Sequence, residues 1–533
     1  MKNIPFPVPS IPEEVQNKVN NPASRYVQKA YKEYFSFPIS KARRILEKTS
    51  SSEWEKRGKT QALKVFKAAA QRVPAYKDFL KKNHVDASRI NSIADFEKIP
   101  TIDKDSYLKK YPVEQLSWDG VFTRGNIVSV SSGSSGKPFL WPREVNLELE
   151  VTYFFELVMD SFFHISKRKT LLVDCFAMGM YVGGPFVLNT AMRISQKGYP
   201  LTIVTPGNVV EDILRVIQEL GSHYEQVILS GYPPFIKDII DRGHSAGIDF
   251  NAFQTIIFPA GEGFSEAWRN AVSGNANIGD PVTGLLGYYG TADAAVMGTE
   301  TPWSVLLRKT ASQDPKKLQQ IFGECRLPSV LQYIPTLRYF ELVEQELAFT
   351  AANGCIPLIR YNIRDKGGLW TFEQAQQQLS DAGLSYKNEL ENNPQYGQPW
   401  RLPFVYVFGR SDQTAIIYGA NVYPEHIKAI LESKELAGHC SGRFVLDTEE
   451  DHSHNQHLIL HVECHGHVQC TDDLKAYMTK TIHKMLTEIN AEYANTSRAN
   501  GDKVIPKVFL QKYEDPRYFL REKKQQWKLK KEA

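Results

Sequence analysis

The feature that most constrains the fold is a regular alternation of short apolar runs and helical patterns between residues 170 and 272. The apolar runs, rich in leucine, isoleucine and valine, occupy residues 170–173, 201–204, 226–229 and 255–258. Segments with apolar residues at three- and four-residue spacing follow them, at 186–197, 209–220, 236–246 and 266–272. Strands that alternate with helices predict a largely parallel sheet covered by helices on both faces. Ligands of such sheets bind in the loops after the carboxyl ends of the strands.

The rest of the chain divides around this region. A chain of 533 residues is too long for one hydrophobic core. We predict an α/β protein with a large N-terminal domain of mainly parallel sheets covered by helices, followed by a small α+β C-terminal domain. The predicted units are 1–95, a helical segment packed on the large domain; 96–409, the large domain; 410–412, the connection; and 413–533, the small domain.

Composition excludes several classes of function. A net charge of +4 is too small to predict nucleic-acid binding. The six cysteines form no CxxC pair, which favours a reducing cytosol over a disulfide framework. The first residues lack the apolar core of a signal peptide, and the longest uncharged run, 175–192, is broken as a helix by Gly183, Gly184 and Pro185. We therefore expect a soluble, cytoplasmic protein with no nucleic-acid or membrane partner.

A hydroxyl- and glycine-rich loop follows a short β-type run at 127–130. Glycines let the backbone approach a ligand closely, and successive N–H groups, hydroxyls and a lysine suit phosphate oxygens. The loop lacks the four-residue spacer of the Walker pattern, and proline follows its lysine. An ordinary turn is the alternative interpretation. The candidate phosphate-binding residues are Ser131, Ser132, Gly133, Ser134, Ser135, Gly136 and Lys137.

Five stretches in one order carry a resemblance to a known family. They read SSGSSGKP at 131–138, AGE at 260–262, GYYGTAD at 287–293, PLIRYNIRD at 357–365, and GRSD at 409–412 with GANVYP at 419–424. Together they resemble the adenylate-forming superfamily of acyl-CoA ligases, and within it the phenylacetate–CoA ligase and coenzyme F390 synthetase-like branch. The resemblance covers roughly residues 60–530 and rests on the order of the motifs, since each motif alone is weak.

The resemblance implies a two-step reaction. A carboxylate attacks the α-phosphate of ATP, pyrophosphate leaves, and a thiol, usually that of coenzyme A, then captures the acyl-adenylate. Because two anions meet at phosphorus, neutralising charge must dominate catalysis. The family uses the loop that matches 131–137 for the phosphates, with Lys137 as a catalytic charge.

Further family roles carry over residue by residue. Gly261 and Glu262 match the segment that lines the adenine pocket, and Tyr289 matches the aromatic residue that stacks on the base. The family's Tyr-Gly-x-Ser/Thr-Glu pattern appears here as Tyr289, Gly290, Thr291, Ala292 and Asp293. Asp293 can still ligate Mg²⁺ but is one methylene shorter than glutamate, and a helix cap is the alternative.

The last two motifs supply the ribose site and the hinge. Asp365 matches the aspartate that accepts hydrogen bonds from the ribose hydroxyls, with an Arg364–Asp365 ion pair as the alternative. Arg410 matches an arginine that reaches the ribose or phosphate. Asp412 matches the hinge about which a mobile small domain rotates between the half-reactions. Gly419 and Asn421 would approach the channel for coenzyme A.

The catalytic lysine of the adenylation step is expected near the C-terminus, where no glycine marks it. Its distance from the strand at 508–510 favours Lys524, with Lys523 as the second choice. A solvated, charge-rich end is the alternative.

Two remaining groups of residues bear on substrate and metal. Tyr181, Gly183, Tyr232 and Pro233 lie in stretches that resemble the family's acyl-pocket segments, and an apolar, partly aromatic lining suits an aryl or medium acyl group. Ordinary core packing is the alternative. Histidines and cysteines crowd residues 452–470, but no zinc-type spacing is present, so we favour solvated loops over a metal site.

Three functions stay open at this point. The first is an ATP- and Mg²⁺-dependent carboxylate–CoA ligase acting on a small carboxylic acid. The second keeps the adenylation but transfers to an amine, the thiol of an external carrier protein, or, as AMP, to a hydroxyl. The third is a non-catalytic nucleotide-binding regulator, motivated by Ala292 and Asp293. Family members often form homodimers, but nothing in this sequence shows an interface, so the oligomeric state stays open.

Overall fold

The computed structural model of the protein describes residues 22–122, 127–130, 139–324, 326–352, 354–410, 415–418, 420–450 and 456–519. Its first helices are α1 (Pro22–Ser36), α2 (Ile39–Lys48), α3 (Ser51–Arg72), α4 (Pro74–Lys82), α5 (Ile93–Phe96) and α6 (Val113–Leu116). The hydroxyl of Ser50 accepts a hydrogen bond from the Glu53 amide and begins α3. Pro74, the first residue of α4, ends the preceding helix because it lacks an amide hydrogen.

A short antiparallel pair and a buried helix lead into the main sheet. Strands β1 (Ile127–Val130) and β2 (Leu140–Arg143) pair with each other, and the helix α7 (Val145–Phe162) follows. Helices α1 and α2 pack on α7. Since α7 is buried on nearly all sides, it lies inside the domain rather than on its surface.

The predicted parallel sheet is present. It contains β3 (Thr170–Asp174), β4 (Leu201–Val204), β5 (Gln226–Ser230) and β6 (Gln254–Ile257) in the order β4-β3-β5-β6, with all pairs parallel. The intervening helices are α8 (Gly183–Gln196), α9 (Val210–Leu220), α10 (Pro233–Ser245) and, after β6, α11 (Glu266–Asn275). The order of strands reverses at β3, so the crevice between β3 and β5 is the expected place for a ligand.

A second sheet of the large domain has seven strands and is antiparallel throughout. Its order is β10-β11-β12-β13-β9-β8-β7. The strands are β7 (Tyr288–Thr291), β8 (Ala295–Thr299), β9 (Ser329–Gln332), β10 (Tyr339–Val343), β11 (Glu346–Ala351), β12 (Leu358–Trp370) and β13 (Phe404–Arg410). The accompanying helices are α12 (Pro281–Gly284), α13 (Pro302–Ala311), α14 (Pro315–Phe322), α15 (Phe372–Asp381) and α16 (Tyr386–Asn392). Isolated parallel bridges join 257 to 285 and 260 to 288, so the two sheets meet at β6 and β7.

The C-terminal part has a core of its own. Its elements are β14 (Ala415–Ile417), β15 (Ala420–Val422), α17 (Pro424–Leu431), β16 (Cys440–Glu450), β17 (Gln456–Cys464), α18 (Asp472–Ile489), α19 (Ala491–Asn500) and β18 (Lys507–Gln511). Strand β17 pairs antiparallel with β16 and parallel with β18. The buried apolar residues of this core all lie between 415 and 508. The exact division of the chain at 410–412 stays a prediction.

The α/β fold class predicted from the sequence is confirmed, with one difference. Parallel pairing characterises the four-stranded sheet, whereas the seven-stranded sheet of the large domain is antiparallel. Within the described ranges, no helix is both long enough and apolar enough to cross a bilayer.

Candidate active site

The loops after β3 and β5 form one wall of the candidate site. Asp174 and Ser230 are paired at the carboxyl ends of these strands. Tyr232 and Pro233 follow β5 directly, and the proline is the first residue of α10. Gly183 begins α8, where a Cβ atom would lie 3.0 Å from the Phe176 ring. The position therefore favours glycine, because a side chain would displace the phenylalanine.

The adenine-pocket candidates lie next to this wall. The Ala260 amide donates to the Gly231 carbonyl over 3.1 Å, and the Tyr288 amide donates to the Pro259 carbonyl over 3.0 Å. Gly261 has a φ of +101°, and a Cβ atom there would lie 3.2 Å from the Tyr232 ring. Glycine thus allows a backbone conformation that brings the chain close to the tyrosine.

Glu262 carries the first contact that sequence reasoning missed. Its carboxylate accepts a hydrogen bond from the Tyr232 hydroxyl and forms an ion pair with Lys428, on α17 of the small domain. Both side chains of the pair are nearly inaccessible, at 5% for Lys428 and 4% for Glu262. The small domain therefore contributes a buried cation to the candidate nucleotide site.

A second carboxylate extends this contact between the domains. Glu432, one helical turn after Lys428 and 4.0 Å from it, accepts hydrogen bonds from the Ser265 hydroxyl and, over 3.1 Å, from the Ser265 amide. Burial raises the pKa of Glu432, and Lys428 offsets only part of that rise. The sequence offered one weak signal for this cluster, the i, i+4 spacing of the lysine and the glutamate.

The ribose candidates meet between β7 and β12. The Tyr289 hydroxyl donates to the Asp365 carboxylate, and Asp365 is paired across the sheet with Arg410 of β13. Arg364 donates to Asp103 over 2.7 Å. An Arg364–Asp365 ion pair stays the alternative interpretation of this stretch.

Asp293 lies in a partly neutralised setting. Its carboxylate accepts a hydrogen bond of 2.6 Å from the Tyr361 hydroxyl, and the Lys104 ammonium lies 3.3 Å away. The Thr291 hydroxyl accepts from the Ala294 amide over 3.1 Å, which stabilises the turn between β7 and β8. A Cβ atom at Gly290 would lie 2.9 Å from the Ala295 carbonyl oxygen, so only glycine fits this bulged pairing.

Several predicted residues are outside the described residues. They are Ser131, Ser132, Gly133, Ser134, Ser135, Gly136, Lys137, Asp412, Gly419, Lys523 and Lys524. The strands on either side of the loop at 131–138 are described, and the Val130 amide donates to the Met180 carbonyl over 2.9 Å. The end of β1 therefore lies beside the segment after β3, in which Tyr181 is half-buried.

Asn421 is engaged within the small domain. Its amide and its side-chain nitrogen both donate to Glu492 of α19, over 3.0 and 3.1 Å. Its carbonyl accepts from the Asn490 side chain over 2.8 Å. These contacts fix the turn between β15 and α17 and leave the proposed role toward coenzyme A as a prediction.

Asp174 is a further residue that sequence reasoning missed. It is fully buried, and one carboxyl oxygen accepts from the Phe176 amide over 3.1 Å. The other oxygen has no hydrogen-bond partner among the described residues. Burial raises the pKa of Asp174 to about 8, which makes the group protonated at neutral pH. The sequence does contain a signal that could have identified this residue, because an aspartate directly follows the apolar run at 170–173.

The histidine- and cysteine-rich stretch forms no metal centre in the part that the structure describes. No group of three potential ligands converges among the described residues. His461 stacks instead on the rings of Phe509 and Tyr518, with centroid distances of 5.0 and 4.2 Å. The side chain of His465 hydrogen-bonds to the Ala437 carbonyl over 3.1 Å.

Comparisons with known proteins agree with this geometry. No protein-family model matches the chain. A phenylacetate–coenzyme A ligase from Thermus thermophilus is 22% identical over 371 residues, which cover 68% of this chain and 71% of that protein. A solved structure of 2-hydroxyisobutyryl-CoA ligase in the postadenylation state, in complex with 2-HIB-AMP, has a TM-score of 0.60 at 16% identity over 88% of each chain. The same ligase with 2-HIB-AMP and CoA in the thioesterification state has a TM-score of 0.51 at 16% identity, again over 88% of each chain. These similarities support the predicted resemblance: the chain is similar in sequence to a phenylacetate–coenzyme A ligase and shares the fold of 2-hydroxyisobutyryl-CoA ligase.

Proposed function

We propose that the protein activates a carboxylic acid with ATP to form an acyl-adenylate and pyrophosphate, and then transfers the acyl group to the thiol of coenzyme A. The observation that carries the proposal is the meeting of Tyr289 with Asp365 and of Tyr232 with Glu262 at one edge of the sheets. These four residues come from four separate stretches of the sequence. The names of the similar proteins, both acid–CoA ligases, support the same activity.

The proposed nucleotide site divides recognition among these residues. Asp365 accepts hydrogen bonds from the ribose hydroxyls, and the Tyr289 hydroxyl holds its carboxylate in place before ATP arrives. The ring of Tyr289 stacks on the base, and Gly261 with Glu262 line the adenine edge. Arg410, paired with Asp365 across β12 and β13, adds positive charge toward the ribose or phosphate.

The chemical step needs cations, because carboxylate and triphosphate repel each other. Lys137 on the Ser/Gly loop and Lys524 near the C-terminus are the residues we propose for this task, with Lys523 as the alternative to Lys524. Asp412 is the proposed hinge, and Gly419 and Asn421 are the proposed contacts for coenzyme A.

Magnesium would be held by Asp293 on the protein side. Mg²⁺ commonly uses one or two carboxylates and takes its other ligands from phosphates and water, which fits the single carboxylate found here. Lys104, 3.3 Å from that carboxylate, competes for the same charge. When bound, the ion would neutralise phosphate charge.

The acid itself is proposed from the wall of the crevice. Tyr181 and Tyr232 bring aromatic rings to the segments that follow β3 and β5, and Gly183 and Pro233 begin the helices after them. Such a lining suits an aryl or medium acyl group better than a charged one. The external carrier protein and the cytoplasmic location remain expectations from the sequence, and the oligomeric state stays open.

The test measures each half-reaction separately. Acid-dependent exchange of radiolabelled pyrophosphate into ATP reports adenylation, and formation of a CoA thioester reports transfer, across a panel of aryl and aliphatic acids. We expect both activities for at least one acid. Pyrophosphate exchange without formation of a CoA thioester would mean that the acyl group or AMP goes to another acceptor. ATP binding without pyrophosphate exchange would favour a non-catalytic regulator.

Matched variants identify the catalytic lysine. Lys524→Ala should lower pyrophosphate exchange by roughly 10²–10³-fold, the usual cost of one charge-stabilising group. Lys523→Ala is assayed in parallel. Lys530→Ala, in the same charge-rich end of the chain, is the control that should retain activity. Equal activity in all three variants would remove the C-terminal lysines from the mechanism.

A further inference from the structure

Two cysteine thiols of the small domain lie in contact. The sulfur atoms of Cys464, the last residue of β17, and Cys470, just before α18, are 3.3 Å apart. Cys464 is fully buried, whereas Cys470 is exposed. One thiol is thus open to solutes and its neighbour is shielded from them, so an oxidant in solution reaches Cys470 first.

Hydrogen bonds hold both ends of the intervening loop. The His465 amide donates to the His439 carbonyl over 3.2 Å, and the Val468 amide donates to the His465 carbonyl over 2.9 Å. Thr471 caps α18 by accepting from the Leu474 amide over 3.2 Å. Because each end is fixed independently, the contact between the sulfur atoms costs little additional ordering.

A third cysteine nearby is directed elsewhere. Cys440 is paired with Cys464 across β16 and β17, but its thiol hydrogen-bonds to the carbonyls of Leu431 and Leu436, over 3.6 and 3.4 Å. Cys440 therefore provides a natural comparison, since it is a buried cysteine of the same domain with a different environment.

The loop also lies next to the contact between the domains. A Cβ atom at Gly466 would lie 3.6 Å from the Tyr513 ring, and the Tyr513 hydroxyl donates over 2.5 Å to Asp238 of α10 in the large domain. The Glu514 amide donates to Glu463, beside Cys464, over 2.9 Å. The loop between the two thiols therefore lies against a side chain that bridges the domains.

We propose that Cys464 and Cys470 form a redox-active dithiol that closes to a disulfide when a peroxide reaches Cys470. The Cys470 thiolate attacks one peroxide oxygen, the O–O bond breaks, and sulfenic acid and hydroxide form. The Cys464 sulfur then attacks the sulfenic sulfur, the S–O bond breaks, and water leaves with the Cys464 proton. Overall, one peroxide is reduced to two waters while two thiols are oxidised to one disulfide. A thiol reductant reverses the change by exchange.

The experiment treats the full-length protein with a small excess of hydrogen peroxide, quenches it and maps peptides by mass spectrometry without reduction. We expect one internal Cys464–Cys470 link, seen as a loss of about 2 Da that dithiothreitol reverses. Two of the six thiols should become unreactive toward a thiol reagent under denaturing conditions.

Variants make the assignment specific. Cys470→Ser, at an exposed position, should fold normally and abolish the link, whereas Cys440→Ser and Cys175→Ser should retain it. Sulfinic acid at Cys470 with a reduced Cys464, or a link between chains through Cys470, would overturn the proposal. These readouts do not depend on the enzymatic activity, so they succeed or fail separately from the proposed function.

Discussion

Asp174 places an ionisable group where the parallel sheet excludes water. The residue ends β3 at the crevice, with one carboxyl oxygen bonded to the Phe176 amide and the other without a hydrogen-bond partner among the described residues. A buried carboxyl avoids the cost of desolvating a charge by keeping its proton. Its pKa of about 8 follows from burial and lies well above the usual value of about 3.9.

The raised pKa predicts how stability depends on pH. The folded state retains a proton that the unfolded state releases, so Asp174 lowers the free energy of unfolding as the pH rises from about 4 to about 8. Asp174→Asn should remove this loss. Relative to wild type, the variant should gain about 1–4 kcal/mol between pH 5 and pH 9, because a tenfold difference in proton affinity between the folded and unfolded states corresponds to about 1.4 kcal/mol.

Urea unfolding at both pH values measures this difference. Asp381→Asn, at an exposed position on α15, is the matched control and should change neither value. A gain for Asp174→Asn that is equal at pH 5 and pH 9 would mean that the carboxyl group does not titrate in this range.

Tyr289 and Asp365 predict a graded effect on nucleotide binding. Asp365→Ala removes the proposed ribose acceptor and should lower kcat/KM for ATP by roughly 100-fold, the scale of a hydrogen bond to a charged group. Tyr289→Phe keeps the stacking ring and loses only the hydroxyl that holds Asp365, so we expect a loss of about 3–10-fold.

Steady-state kinetics of pyrophosphate exchange with varied ATP checks both values. Tyr477→Phe, at an exposed position on α18 of the small domain, should behave as wild type. If Tyr289→Phe were as damaging as Asp365→Ala, the tyrosine would have a role beyond orienting the carboxylate.

At the scale of the element, the strands differ in how well the sequence predicts them. The strands of the parallel sheet, β3 to β6, are short apolar runs separated by amphipathic helices, and local pattern alone predicts both their type and their pairing direction. The seven-stranded sheet joins β9 to β13 and β8. Three strands separate β9 from β13 in the sequence, and local patterns carry no information on that pairing.

Helix α13 shows how a buried charge network holds the sheets together. Glu300 lies 2.7 Å from Arg269 of α11 and 2.6 Å from Arg308 of α13, and it accepts from the Gly287 amide over 2.7 Å. Burial alone would raise the pKa of Glu300, but the two arginines outweigh it and the pKa is lowered. The network therefore ties α11 and α13 to the start of β7.

Removal of one partner should be costly for these elements. Glu300→Gln leaves two buried arginines with Glu266 as the remaining carboxylate that both contact, so the loss of one counter-charge should lower the free energy of unfolding by about 3–5 kcal/mol. Chemical denaturation at neutral pH measures the change. Glu391→Gln, on the exposed end of α16, should cost less than about 0.5 kcal/mol. A similarly small effect of Glu300→Gln would show that the network does not stabilise the fold.

At the scale of the whole molecule, the candidate site depends on contacts that no local pattern predicts. Motif order predicted Tyr289, Asp365 and Glu262, because their types and spacing match a family. Lys428 meets Glu262 only because the small domain packs there, and Lys104 meets Asp293 only because the stretch between α5 and α6 packs against the turn after β7. Both contacts depend on packing between segments that are far apart in the sequence, and local sequence patterns do not predict such packing.

We predict that the buried contacts of Lys428 with Glu262 and Glu432 hold the two domains in the described arrangement. Lys428 lies between Glu262 and Glu432, and all three side chains are nearly inaccessible. Lys428→Met leaves two carboxylates buried without a cation, which should open the contact because unpaired buried charges cost several kcal/mol. Hydrogen–deuterium exchange should then be roughly 10–100-fold faster in the peptides that carry Ser265 and α17.

A double-mutant comparison separates the ion pair from general damage. Adding Glu262→Gln to Lys428→Met removes one of the stranded charges, so the double variant should exchange more slowly than Lys428→Met alone. Lys434→Met, at an exposed position just beyond α17, should exchange as wild type does. If the effects of Lys428→Met and Glu262→Gln were simply additive, the two residues would not act as a pair. Exchange at wild-type rates in Lys428→Met would mean that apolar packing, rather than charge, holds the small domain against the nucleotide site.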